Sequence, residues 1–458
     1  MPTLGSSSTP TWFEFDMLPP RVPLDALPAE LLLDICKLVR TPKRVPQLPS
    51  RHPKNIETVR EIDVSRNTAA AQSDLLAFSL TCRRLLSIAQ PLLYAHPVTI
   101  GDEAKRRFEL LCTTLRKYRD LVLFVKSIQL SATAVSGDGL GSTDGDAALL
   151  PNLKSVYMWI PSTFDEDEDD ETTAREALKQ PAYVPFPCHS LLLRGQYDKA
   201  YIDVSSGLFL DESGWLSKVQ TLDLRAVDFT WSRGTLPRNR LGSLRTLRLW
   251  HSGMHVLNYK WLLRSMGHPP LSTVSICISD ITEEEHRAYA TAPPAGTPLY
   301  PLPVHLAVQA LLPWATTLRC LTHVVTGHTP WPDRHWDLSK LTAFVALEFL
   351  WLESAYFYFN PSKAALTDIL PPNLVTLRLS GVSLPAAALA HLRDAIVEEA
   401  KFLALARVTI DEQGFDLADA NEKAVVQSLS LLHDAGIRVT ALPQPLPGYE
   451  EPADEDDD

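Results

Sequence analysis

Cysteine is scarce and scattered, with six residues at positions 36, 82, 112, 188, 277 and 320, no Cys-x-x-Cys pair and no adjoining histidine cluster. That spacing indicates neither a zinc centre nor a disulfide framework, so no metal is expected and the six are expected to be reduced core thiols. Long apolar runs are missing too: no stretch approaches the ~18 uninterrupted apolar residues of a membrane span, and Met1 to Met17 holds neither a basic cluster nor a signal-type apolar run. No membrane partner is expected, and the expected location is the cytoplasm, the nucleus or both. Basic charge is in deficit, with 43 Lys and Arg against 55 Asp and Glu and a net charge of −12. A nucleic-acid partner is therefore not expected, because such binding needs a basic surface.

Catalytic constellations are absent as well. There is no His-Glu-x-x-His, no Gly-x-Ser-x-Gly and no deaminase-type His-x-Glu with Pro-Cys-x-x-Cys. Gly137-Asp-Gly-Leu-Gly141 lacks the third glycine of a dinucleotide loop and the Lys-Ser/Thr of a P-loop, and reads as a loop between repeats. His323, His328 and His335 lie near Asp333 without a nucleophile and read as ordinary polar residues. No cofactor and no enzymatic activity are expected.

Present near the start are two helical patterns. In Leu27-Pro-Ala-Glu-Leu-Leu-Leu-Asp-Ile35, Pro28 suits a first helical position and Glu30 the positive end of the helix dipole. Leu27, Leu31, Ile35 and Leu38 or Val39 make one apolar stripe. In Asp74 to Tyr94, Ser73 is a candidate N-cap, Leu75, Phe78, Cys82, Leu85 or Leu86, and Ala89 form the stripe, and Pro91 is expected to end the helix. A helix pair this short cannot bury its own apolar faces, so they must meet the rest of the chain or another protein.

The remaining chain repeats. An apolar-x-x-apolar-x-apolar template occurs at Val125/Ile128/Leu130, Leu153/Val156/Met158, Val219/Leu222/Leu224, Leu244/Leu247/Leu249, Leu271/Val274/Ile276, Leu347/Leu350/Leu352, Leu374/Leu377/Leu379 and Leu405/Val408/Ile410, with weaker matches from Cys188 and Leu318. At 45% hydrophobic content three fixed positions fill by chance in roughly one window in eleven, so single matches carry little. The spacing carries more: successive starts differ by 28, 35, 31, 25, 27, 47, 29, 27 and 31 residues, close to a leucine-rich-repeat period. Helical patterns lie between them: Ala104, Phe108, Leu111, Leu115 and Tyr118; Val256 to Met266; Pro385 to Ala400; and Asp416 to Ala435, closed by Gly436. The 47-residue interval from Leu271 to Leu318, rich in proline near 293–303, is expected to loop out.

Two resemblances follow from these residues. Leu27, Pro28, Glu30, Leu31, Leu32 and Ile35, with Leu75, Leu76, Leu80, Cys82, Arg83, Arg84 and the closing Pro91-Leu-Leu-Tyr94, make residues 27–94 resemble an F-box, the helical module that attaches substrate receptors to the Skp-type adaptor of cullin–RING ubiquitin ligases. The segment Thr41 to Gln72 is longer than is usual in that family, Thr81 replaces a customary valine, and Leu85 stands where many members carry an aromatic. The remainder is similar to the irregular leucine-rich repeats that often follow an F-box, without the regular Asn or Cys at the turn.

The expected fold class is α/β: a small all-helical F-box module followed by a leucine-rich-repeat-like α/β solenoid, or horseshoe. Its expected domains are a disordered segment 1–22, a module 23–98 with an inserted basic loop 41–72, a solenoid 99–443 with an acidic loop 163–173, and a disordered acidic tail 444–458. Within the first segment, Trp12, Phe13 and Phe15 beside Glu14 and Asp16 are a candidate linear docking motif. The F-box resemblance implies adaptor contacts from Leu27, Pro28, Leu31, Leu32, Ile35, Leu75, Leu76, Leu80, Cys82 and Leu85.

Strand alternation supplies the target-binding candidates. With the template residues inward, Tyr157, Trp159, Asp223, Arg225, Arg248, Trp250, Phe349, Trp351, Glu353 and Arg378 face the concave sheet surface. Tyr, Trp and Arg dominate interface energetics. The expected function is the substrate-recognition subunit of a Skp–cullin–F-box ubiquitin ligase in ubiquitin-dependent protein catabolism, with the Skp-type adaptor and a target protein as partners. The alternative is a leucine-rich-repeat scaffold whose amino-terminal helices only cap the solenoid. A hydrolase or transferase with a dispersed site would instead need a deep pocket of convergent titratable groups.

Overall fold

The computed structural model describes residues 27–40, 72–100, 103–131, 150–160, 188–195, 200–203, 215–225, 227–230, 241–250, 256–267, 269–279, 304–326, 338–354, 366–380, 386–399, 401–411 and 420–441. Segment 1–22 with its Trp12 motif, most of the basic loop 41–72, Gly137 to Gly141, the acidic loop 163–173, His328, Asp333, His335 and the tail 444–458 lie outside the described residues. Two compact units divide at Tyr94 and Ala95. The second unit begins a few residues earlier than the expected start at 99, because β1, Val98–Thr99, is already a strand of its sheet.

The first unit contains α1 (Ala29–Arg40), α2 (72–79) and α3 (Arg83–Ala95). The single helix expected over Leu75 to Ala89 is broken at residues 80–82, and Pro91 lies inside α3 rather than ending it. The break has local causes: the Ser79 and Thr81 hydroxyls donate to the carbonyls of Leu76 and Phe78 at 2.7 and 2.8 Å, competing with helical pairing. Cys82 then opens α3, its Sγ accepting from the Leu85 N–H at 3.4 Å and its carbonyl from the Leu86 N–H at 3.0 Å.

The second unit is α/β. Its twelve-stranded sheet is parallel throughout and open, ordered β1-β2-β3-β4-β6-β8-β9-β10-β11-β12-β13-β14, so neighbours in space follow the chain. The strands are β2 (Ser127–Ser131), β3 (Ser155–Ile160), β4 (Ser190–Gly195), β6 (Thr221–Arg225), β8 (Thr246–Trp250), β9 (Thr273–Ser279), β10 (Cys320–Thr326), β11 (Phe349–Ser354), β12 (Thr376–Ser380), β13 (Arg407–Asp411) and β14 (Arg438–Ala441). A separate parallel pair joins β5 (Ala200–Asp203) to β7 (Val227–Thr230).

Every start of the apolar template, including the weak ones at Cys188 and Leu318, is a buried residue just ahead of a strand. The next two template residues are buried within the strand, as with Leu222 and Leu224 or Leu377 and Leu379. In β10 the last of these is His323, buried beside Ile276 and Leu352 in register.

The connections carry α4 (Ala104–Lys117), α5 (Val256–Ser265), α6 (Val304–Leu311), α7 (Leu366–Ile369), α8 (Ala386–Val397) and α9 (Ala420–Asp434), with short 3-10 turns ahead of several strands. The interval before Leu318 does not wholly loop out. Its last part forms α6, which buries Val304, Ala307, Val308 and Leu311, and Trp314 Nε1 donates to the Pro269 carbonyl at 2.8 Å. Gly436, at φ 87°, ends α9 with the Ile437 N–H on the Leu432 carbonyl and its own N–H on that of His433, a closure that favours glycine.

Successive units are joined at a fixed point. Along the main sheet from β3 to β13, the residue before each strand donates its N–H to its counterpart one strand earlier, as Lys154 does to Lys126 at 2.7 Å, Gln220 to His189 at 2.8 Å, Arg319 to Ser272 at 2.8 Å and Ala406 to Val375 at 2.9 Å. Two Pro-Asn-Leu turns add a side-chain tie, Asn152 Nδ2 to the Leu123 carbonyl and Asn373 Nδ2 to the Val345 carbonyl, both at 2.7 Å.

Candidate functional site

The helical unit presents two apolar stripes, not one. The inward stripe of α1 is Leu32, Cys36 and Val39; of the expected Leu27, Leu31, Ile35 and Leu38 or Val39, it contains Val39 alone. Cys36 meets Leu75 of α2 and Ala89 of α3 in a core completed by Phe78, Ile88, Leu92 and Leu93. Three of the implied adaptor contacts, Leu32, Leu75 and Leu85, are buried and offer no surface here.

The other leucines point outward. Leu31 is 50% exposed, Leu76 48% and Leu80 70%, and Leu38, absent from the implied contacts, is 73% exposed. Leu27, Ile35 and Cys82 are partly exposed and Pro28 exposed. Single exposed leucines are ordinary on a protein surface; here Leu31 and Leu38 are seven residues apart on one side of α1, and Leu76 of α2 is followed four residues later by Leu80, just past the helix end. The helical period was legible in the sequence; which of two adjacent stripes turned inward was not, because Leu31 and Leu32 are chemically identical.

On the sheet, register places the odd-face residues in rows. One row runs Tyr157, Leu192, Asp223, Arg248, Ser275, Thr322, Trp351 and Arg378 across β3 to β12. The next runs Trp159, Arg194, Arg225, Trp250, Cys277, Val324 and Glu353 across β3 to β11. Phe349 is two residues before Trp351, paired with Cys320 and Thr376.

The ten candidates thus fall into two groups. Tyr157, Trp159, Asp223, Arg225, Arg248 and Trp250 share β3 to β8, whereas Phe349, Trp351, Glu353 and Arg378 lie on β11 and β12. Strands β9 and β10 separate them, about 14 Å at ~4.8 Å per strand.

The first group is built on charge. Asp223 is buried and accepts from Arg225 through both oxygens, at 2.9 Å from Nε and 3.0 Å from the terminal nitrogen. Arg248 approaches the same carboxylate at 3.7 Å. Forked contact of this kind fixes the orientation of the guanidinium as well as its charge.

Arg194, missing from the candidates, stacks its guanidinium 4.8 Å from the Trp159 ring centre, and burial lowers its pKa from the ordinary arginine value. It sits in β4, whose template match opened on Cys188 rather than an aliphatic residue; its signal was its place in register between Trp159 and Arg225. In the second group Arg378 lies 3.9 Å from the Trp351 ring centre. Both pairs are in-register neighbours whose cation–π contact rigidifies long side chains.

Among the described residues no cluster of His, Cys, Asp and Glu could hold a metal ion, and no helix is long and apolar enough to cross a membrane. No protein-family model and no curated protein matches the chain.

Proposed function

We propose that the chain is a substrate-recognition adaptor of a Skp–cullin–F-box type ubiquitin ligase, located in the cytoplasm, the nucleus or both. The helical unit is its F-box, the parallel sheet unit is a leucine-rich-repeat-like horseshoe, and it performs no chemistry of its own. It acts by proximity: one unit holds the adaptor and the other a target protein, raising the concentration of target lysines near the charged conjugating enzyme.

The observation that carries this reading is the exposure of Leu31 and Leu38 on α1, of Leu76 on α2 and of Leu80 just past it, in a unit that already possesses a separate core. Helices serving only as a cap would have little reason to keep leucines in water. The sheet unit supports the second half of the reading through chain-order strands, each touching the next, with Trp and Arg concentrated on one face.

The test is capture of the purified chain on immobilised Skp-type adaptor, comparing the natural sequence with the double variant Leu31→Asp, Leu76→Asp. Both positions are about half exposed, so the helices should fold and circular dichroism should be unchanged. Capture reduced at least tenfold supports the role; undiminished capture by the variant contradicts it.

A further inference from the structure

The edge at which the strands begin carries a column of its own. Ser127, Ser155, Ser190, Thr221 and Thr246 open β2, β3, β4, β6 and β8 in register. One residue ahead of them stand Lys126, Lys154, His189, Gln220 and Arg245, each donating its N–H to the carbonyl of the one before at 2.7–2.9 Å from Lys154 onwards. At ~4.8 Å per strand these five equivalent positions make a column about 19 Å long. All five are exposed.

The column is cationic, and its cations are not engaged elsewhere. Lys126, Lys154 and Arg245 stand on it, and Lys218, also exposed, lies in the 3-10 turn Trp215–Lys218 two residues ahead of Gln220. Among the described residues none of these four cations has an ion pair or a side-chain hydrogen bond. In the described turns that lead into the five strands the only carboxylate is Asp120, which follows Arg119. Farther along, Ser272 succeeds Arg245, and Arg319 is paired with Glu348 at 3.6 Å. The cationic stretch therefore ends at β8, in a chain whose net charge is −12.

Neighbouring like charges such as Lys126 and Lys154 repel one another, and an anion laid along the edge relieves that repulsion. A single nucleic-acid strand is held by stacking aromatics as well as by cations, and the five column positions hold no Phe, Tyr or Trp. We infer that this edge binds an acidic segment of a partner protein, a run of about six Asp or Glu residues whose extended length, at ~3.4 Å per residue, matches the column. The inference rests on the reading of the sheet unit as the target-binding unit, and it specifies part of the target's chemistry. It does not depend on adaptor attachment.

The test is fluorescence polarisation with the full chain and fluorescein-labelled probes carrying six Glu or six Gln between Gly-Ser spacers. Saturable binding of the Glu probe is expected, at least tenfold tighter than that of the Gln probe and at least threefold weaker in 300 mM than in 50 mM salt. The triple variant Lys126→Glu, Lys154→Glu, Arg245→Glu, at three exposed positions, should weaken binding at least tenfold without altering circular dichroism. Lys154→Glu alone should weaken it at least threefold, whereas Lys340→Glu, the same charge change at an exposed position in the turn before β11, should leave it within twofold.

Equal binding of the two probes, full affinity in the folded triple variant, or equal losses from Lys154→Glu and Lys340→Glu overturns the inference. Tighter binding of a six-nucleotide uridine strand than of the Glu probe assigns the edge to nucleic acid, and Glu-probe binding only after removal of residues 450–458 assigns it to the chain's own acidic tail; either result also overturns it. Adaptor capture separates the two readings. Loss of probe binding with capture intact removes this inference alone, and probe binding without capture removes only the ligase attachment.

Discussion

Two neighbouring leucines should behave oppositely. Leu32 is 0% exposed and Leu38 is 73% exposed on the same helix, so truncating each to alanine isolates burial from helix propensity. Removing about three carbons from Leu32 forfeits roughly 2.4 kcal/mol of transfer free energy at ~0.8 kcal/mol per buried CH2, and the cavity brings the cost to about 3 kcal/mol. For Leu38→Ala the same removal costs about 0.5 kcal/mol, because most of the side chain is already in water. Since the chain has two units, global unfolding would blur the difference, and hydrogen exchange of peptides from residues 29–40 reads it locally. Exchange there should accelerate about 100-fold in Leu32→Ala and less than about threefold in Leu38→Ala, at ~1.4 kcal/mol per tenfold. Equal acceleration, or a larger effect at Leu38, would mean that the helix turns its other stripe inward, and the proposed docking face would be lost with it.

The Pro-Asn-Leu ties between strands are testable in the sheet unit. Asn152→Ala and Asn373→Ala should each cost about 1 kcal/mol, and the double variant should be additive in urea unfolding, since the two sites are far apart in the strand order; a null effect would show the stack held by its backbone alone. Alkaline stability should also respond to one thiol. Burial pushes Cys188 up to about 12, from an ordinary value of 9.0, so the folded chain keeps that proton where the unfolded chain loses it. This contribution is intact below pH 9 and is lost at roughly 1.4 kcal/mol per pH unit from 9 towards 12. Urea midpoints at pH 8, 9 and 10 should fall less steeply in Cys188→Ala, and identical slopes would contradict the assignment.

The strand positions were legible because their cause is local: each buries a leader and two alternate residues, as Val219, Leu222 and Leu224 do, whatever the rest of the chain does. The end strands were not. β1 pairs through only Val98 and Thr99, and β14 has Gly436 at the leader position and Ala441 opposite Ile410, so neither fills the template with large apolar residues. Helix α6 was masked by the prolines before it, which say nothing about the apolar run that follows. On the face, alternation alone placed Trp351 and Arg378 among the candidates, whereas the pairing of Trp351 with Arg378 and of Trp159 with Arg194 required the order and register of the strands. Register between distant segments is a tertiary property, and single-strand patterns do not encode it.

Calorimetric titration of Skp-type adaptor into the purified chain probes the proposed role most directly. One-to-one binding is required, with a negative heat-capacity change from covering the outward leucines and a loss of at least tenfold in affinity for Leu31→Asp, Leu76→Asp. No measurable binding, or binding that the variant leaves unchanged, would show that these helices do not serve as an F-box.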